Sequence, residues 1–195
     1  MTSGTAFGWK GVIALLAVAA VASVAFASVF VIYPGSVLAV PQAPPVVWAA
    51  GSNSNQSDIG GQTINVTVGV NSTQLSVIVH PTYEYTYYKN VTIIKNNDAT
   101  HGYYIAIRVV NPANVSSIAG ASVLMNISNS TSYEIINLTT TGTYYWYYLP
   151  AGGHLNVDLQ YYIPPGVKLP KEITLTVQLI YSPTNSETAI PTPIT

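Results

Sequence analysis

The sequence predicts an all-β fold, an antiparallel sandwich or barrel preceded by a hydrophobic N-terminal segment. Three observations carry that reading. From residue 62 onward the apolar positions recur with a period of two, no amphipathic helical stretch is evident there, and turn signals separate short strand-like runs. Two runs alternate almost ideally. In one, Leu155, Val157, Leu159, Tyr161 and Ile163 interleave with His154, Asn156, Asp158 and Gln160; in the other, Ile173, Leu175, Val177, Leu179 and Tyr181 interleave with Glu172, Thr174, Thr176 and Gln178. Each pattern buries one face and wets the other, as in an antiparallel sheet.

The N-terminal element is set apart by its composition. No charged residue stands between Lys10 and Asp58, and residues 12–33 form a run of 22 in which only Ser23 and Ser28 are polar. A helix of that length, at ~1.5 Å per residue, matches a hydrocarbon core of about 30 Å. Two outcomes follow. As an export signal, Lys10 is the basic region, residues 12–24 the apolar region and Ala25-Phe26-Ala27 the cleavage site, so that the mature chain begins at Ser28. As a retained helix, the segment enters a membrane or a filament core and stops before Pro34-Gly35. Residues 1–27 are thus a signal peptide or hydrophobic helix. Residues 28–61 read as an N-terminal tail and a flexible tether, stiffened by Pro41, Pro44 and Pro45 and loosened between Gly51 and Gly61. The sandwich spans 62–183, and 184–195 form a Pro/Thr tail.

Within 62–183 the expected strands, besides the two above, are 63–70, 74–80, 83–95, whole or broken, 102–110, 121–127, 132–138 and 143–149. Asn97-Asp98, Asn111-Pro112, Gly142 and Gly152-Gly153 supply turns between them. Short strands at this spacing form a sandwich or barrel.

The charge inventory excludes several function classes. Charged residues make up 7% of the chain, six basic against seven acidic, so no basic footprint exists for nucleic acid. With no cysteine, disulfides and thiolate metal sites are excluded. His80, His101 and His154 lack metal-ligand spacing, and His154 falls on the polar face of its strand. Asp58, Glu84, Asp98, Glu134, Asp158, Glu172 and Glu187 are scattered, mostly at turns or outward strand positions. No nucleophile elbow, phosphate loop or dinucleotide fingerprint is present. The expectation is a protein that is not an enzyme and takes no cofactor or metal.

Two abundant residue types point elsewhere. The 15 tyrosines include the alternating Tyr83, Tyr85 and Tyr87 and the run Tyr144-Tyr145-Trp146-Tyr147-Tyr148. They suit a sugar platform, or a core and subunit interface, and the second reading is preferred because aromatic rings anchor interfaces. Eight N-x-S/T sequons occur, at Asn55, Asn65, Asn71, Asn90, Asn114, Asn126, Asn129 and Asn137, none with proline in the middle. Strand phasing turns Asn65 and Asn126 outward, and most sequons are expected to carry glycans.

Cleavage at Ala27 would free a β-branched apolar strand containing Val29, Phe30, Val31, Ile32, Tyr33, Val37, Leu38 and Val40. Such a strand has no partner of its own and aggregates unless an incomplete sandwich accepts it. The chain resembles exported filament subunits of thermophilic archaea, both the thread-like donor-strand filaments of the Sulfolobales and archaeal type IV pilins. The resemblance rests on the apolar N-terminus, the dense sequons, the low charge, and the closing pattern Leu149-Pro150-Ala151-Gly152-Gly153-His154, strand, Ile163-Pro164-Pro165-Gly166. Lys10-Gly11-Val12 fits a pilin-type cleavage site, and Ala25-Phe26-Ala27 fits the thread-like group. The resemblance implies an immunoglobulin-like sandwich and a structural subunit of an extracellular, cell-surface filament. Its partners would be copies of itself, N-linked glycans, and other cells or surfaces, with membrane contact only through the N-terminal segment. The alternative is a membrane-anchored surface or virion glycoprotein. Scarce charge also suits hot acid, where carboxylates protonate and ion pairs are lost.

Overall fold

The computed structural model describes residues 8–25 and 33–186. They fall in two units, 1–41 and 42–195.

In the first unit, α1 (Trp9–Ala25, 17 residues) contains only Lys10 and Ser23 as polar residues outside its glycine and tryptophan. It has no polar face to turn toward water, so it is not an amphipathic surface helix. No described helix is long and apolar enough to cross a membrane. Residues 33–41 carry neither helix nor strand.

The second unit is mostly strand and wholly antiparallel, consistent with an all-β sandwich. Its larger sheet has the order β1 (Val46–Ala50), β4 (Glu84–Asn96), β10 (His154–Ile163), β6 (Ser122–Ser128), β7 (Tyr133–Asn137). Its smaller sheet sets β11 (Thr176–Ser182) on one side of β5 (Tyr103–Asn111), with the short β8 (Gly142–Thr143) and β9 (Tyr147–Leu149) on the other. A separate hairpin joins β2 (Asn65–Val68) to β3 (Leu75–Ile78) and lies against β1. One core unites them: Leu155, Val157 and Tyr161 from β10, Ile105, Ile107 and Val109 from β5, Trp48 from β1 and Val66 from β2 are buried together. The alternation of β10 is realised in full, with all five of its expected inward residues buried.

Three expectations need correction, and the open question of the 83–95 run is decided. The tether over 28–61 contains a core strand: Val46, Val47 and Trp48 are buried and β1 pairs with β4 from Val46 opposite Asn96 to Ala50 opposite Thr92. Five residues between a Pro pair and a Gly/Ser/Asn stretch are too few to alter the segment's composition, but Val-Val-Trp suits a strand. The run 83–95 is continuous and carries a bulge: Val157 pairs with Thr92 and Leu159 with Tyr88, leaving Asp158 alone opposite Lys89, Asn90 and Val91. Asn90 has φ +45, a left-handed conformation that asparagine tolerates better than most residues. Gly51 runs beside this bulge so closely that a Cβ would stand 2.0 Å from the Asn90 carbonyl oxygen. The strand over 143–149 is split into β8 and β9, and of its aromatic run Tyr144 and Tyr147 pack on the core while Tyr145 is exposed. Finally, β11 begins at Thr176, because Thr174 is bonded backbone to side chain with Asn114 instead of to β5.

Candidate functional site

Two surfaces of the second unit stand out, one at a sheet edge and one on a sheet face. The edge is β11. Its inward residues Val177 and Leu179 pair with Val109 and Ile107, which are buried, yet they are themselves only half-buried, as are Ile173 and Leu175 leading into them. The core is therefore uncovered along this row. Among the described residues no strand pairs with the outer side of β11. The seven residues Thr-Val-Gln-Leu-Ile-Tyr-Ser contain no charge or proline, two devices that commonly protect an edge, and no sequon; their one irregularity lies at the start, between Thr176 and Val177. The outer edges of the larger sheet differ. β1 lies against the β2–β3 hairpin, and β7 carries Glu134 with the sequons Asn129 and Asn137 near its two ends.

In the first unit, Tyr33, Val37, Leu38 and Val40 are exposed, Val37 at 96%. Of the expected interface residues, Val29, Phe30, Val31 and Ile32 lie outside the described residues. Exposed apolar side chains in a segment without secondary structure are unstable in water unless something covers them.

The face is the outer side of the larger sheet. Here Asp158, expected at an outward and solvated position, is 5% exposed. It does point to the outer face, but neighbouring strands roof it over. Its Oδ1 accepts the Asn90 backbone N–H at 2.6 Å, and its Oδ2 accepts the Tyr87 hydroxyl and, at 3.4 Å, the Asn126 amide. The carboxylate thus closes the β4 bulge and ties β4 and β6 to β10. Burial and the hydrogen bond to Asp158 raise the Tyr87 hydroxyl above its usual range.

The eight sequon asparagines fall into different environments. Asn55, Asn65, Asn71, Asn114 and Asn137 are exposed, whereas Asn90, Asn126 and Asn129 are half-buried. Asn90 donates its amide to Ser52 Oγ at 2.9 Å, Asn126 donates to Asp158, and the Oδ1 of each is buried without a partner. The outward position expected for Asn126 is correct in face but not in freedom. Asn129 and Asn137 are the reverse: each Oδ1 accepts both the backbone N–H and the hydroxyl of the threonine two residues on, and Nδ2 has no partner among the described residues. Phasing could not find this difference, because it depends on Ser52 and Asp158 for the held amides and on local threonine turns for the presented ones.

Asp58 and Asp98 serve turns. Asp58 accepts the backbone N–H of Ile59 at 2.7 Å, and its Oδ2 meets the backbone N–H and Nδ1 of His80 at 2.9 Å. Burial pushes its carboxyl up, but those bonds outweigh burial and leave it below the ordinary value of 3.8. Asp98 is held well below that range by Thr100 hydroxyl and backbone bonds, with His101 adding to them. His154 is exposed, and among the described residues no group of three His, Cys, Asp or Glu side chains could hold a metal ion. A carboxylate depressed on folding stabilises the fold above its unfolded value and loses that contribution only as pH falls through its folded value. Thermal melts followed by circular dichroism are therefore expected to be flat from pH 7 to about 4 as far as Asp58 and Asp98 are concerned, with loss confined to lower pH. A steep fall between pH 7 and 5 would contradict this.

No protein-family model matches the chain, and no curated protein is similar to it.

Proposed function

We propose that this chain is the structural subunit of an N-glycosylated extracellular filament, in which the apolar N-terminal segment of one copy pairs along the β11 edge of the next. The observation that carries the proposal is the coincidence of an uncovered, uncharged edge with an exposed apolar segment in the same chain. The strand order supports an immunoglobulin-like reading. β1-β4-β10-β6 follows the A-B-E-D order of that fold, and β5 beside β11 corresponds to C beside F. The position of the last strand, G, next to F, is then the vacant side of β11. An added strand would satisfy the edge backbone and cover Ile173, Leu175, Val177 and Leu179; burying four or five such side chains stabilises by on the order of 10 kcal/mol before ordering costs.

A second reading rests on α1. Its composition, with Lys10 and Ser23 its only polar residues, suits a helical filament core or an anchor, with the β unit outside.

The test is negative-stain microscopy of material sheared from the native cell surface, with N-terminal mass spectrometry of this polypeptide in the same fraction. Filaments whose subunit begins at Ser28 support strand addition. Filaments whose subunit begins near Val12 favour the helical core, and a full-length chain confined to the membrane fraction replaces the filament with an anchored surface protein.

A further inference from the structure

The outer face of the larger sheet holds a trough of about 210 Å³ lined by Tyr87, Leu124, Asn126, Tyr133, Ile135 and Gln160. Its composition is unusual for a solvated strand face. Tyr133 and Ile135 are 68% and 53% exposed, and the adjacent Tyr85 stacks on Tyr162 with ring centroids 4.6 Å apart. Apolar rings and aliphatic groups are thus interleaved with the side-chain amides of Gln160 and Asn126. That mixture suits a pyranose, whose C–H face lies on an aromatic ring while its hydroxyls meet amides.

A sugar source stands at the rim. Asn137 pairs with Leu124, and Ile135 with Asn126, so Asn137 lies on the same face as the trough and next to it along both β6 and β7. Directly opposed residues are about 5 Å apart, and same-face neighbours along a strand about 7 Å, so the first sugars on Asn137 reach the lining residues. The Asn137 amide is presented for modification. Its Oδ1 is fixed by the Thr139 backbone N–H at 2.9 Å and the Thr139 hydroxyl at 2.7 Å, and Nδ2 has no partner among the described residues. Asn126, within the trough, is committed to Asp158.

We infer that Asn137 carries an N-linked glycan that folds back over the tyrosine trough of its own chain, while Asn126 stays unmodified and serves as a wall of that trough. This rests on the exported, glycosylated reading above. In the modification the Asn137 Nδ2 attacks the anomeric carbon of a phosphate-activated glycosyl donor; the new N–C bond forms as the bond from that carbon to the phosphate oxygen breaks, and the amide loses one proton. The attached sugar then shields Tyr87, Tyr133 and Ile135, which explains how so apolar a face can remain on the outside of the sheet.

The test has two parts, both on the full chain. Glycopeptide mass spectrometry of native protein is expected to find sugar on Asn137 and none on Asn126. Nitration with tetranitromethane then compares Tyr133 with Tyr145, which is 84% exposed and lies in the other sheet's aromatic run. In native protein Tyr133 is expected to react several-fold more slowly than Tyr145. Asn137→Asp keeps the oxygen that Thr139 binds but removes the amide, and should bring Tyr133 to the Tyr145 rate in the same assembly state. Thr139→Ala, which removes the sequon hydroxyl instead, should do the same. Bare Asn137 beside other occupied sequons, sugar on Asn126, or equal Tyr133 rates in native and variant protein would each overturn the inference. Filaments built of chains without any sugar would overturn it and leave the filament standing; shielding by an Asn137 glycan on a chain found in no filament would do the opposite.

Discussion

A chain lacking residues 28–40 is expected to form no filaments, while its β unit melts at the same temperature as the full-length protein. Both halves follow from where the β unit draws its core. The core is drawn from residues 46 onward, and Tyr33, Val37, Leu38 and Val40 are exposed in the free chain, so their removal costs the isolated fold nothing. Assembly, in contrast, would lose every backbone bond and apolar contact of the inserted strand. Even half of the estimated burial, about 5 kcal/mol, is a factor of several thousand in each subunit contact, enough to abolish polymer at any practical concentration. Microscopy and analytical ultracentrifugation of the truncated chain make the comparison. The edge itself should behave in the same way: Ile180→Lys places a charge on β11 at a half-buried position across from the buried Ala106 and should block assembly, with a thermal melt of the variant reporting separately what it costs the fold.

Replacement of Asp158 by alanine is expected to destabilise the β unit by about 3 kcal/mol, a fall of roughly 10 °C in Tm for a domain of this size. The cost comes from what the carboxylate leaves behind. The Asn90 N–H at the bulge, the Tyr87 hydroxyl and the half-buried Asn126 amide would all lose the acceptor they share, a carboxylate that is itself only 5% exposed. Asp158→Asn keeps an oxygen for the Asn90 N–H and should recover a large part of the loss, whereas Glu172→Ala, at an exposed position, should change stability by less than about 0.5 kcal/mol. Thermal and urea melts of the three variants give the order directly. Equal stability of Asp158→Ala and the parent would mean that the bulge does not depend on the carboxylate.

The fold was legible where two conditions met, a long strand and a uniform period. β10 meets both, and each of its inward residues is where alternation puts it. β1 is only five residues long and sits in a Pro- and Gly-rich context, so its burial became visible only through its pairing with β4. The bulge at Asn90 shows in the sequence only as a slip in the alternation, since the buried Tyr88 and Val91 stand three residues apart instead of two. Asp158 shows the limit most clearly. Parity gave its face correctly, but its environment is made by Tyr87 and Asn126, residues 71 and 32 positions away. The sequons were equally legible as motifs, yet which amides are held and which are presented is decided by Ser52, Asp158 and the two threonine turns. The vacant side of β11 could not be read at all from a run whose alternation is as regular as that of a central strand.

Because the chain contains no cysteine, disulfide trapping gives the most direct test of strand addition. Cysteine would be introduced at Gln178 on β11 together with one of Val37, Leu38 or Val40, and filaments oxidised before denaturing electrophoresis. Neighbouring strands bring paired Cα atoms to about 5 Å, within the range a disulfide spans. The expected result is a ladder of covalent multimers for at least one of the three pairs, with none when the cysteine on β11 is moved to Glu134 on β7. Filaments that yield only monomers for all three pairs, or a ladder only through β7, would contradict assembly at the β11 edge.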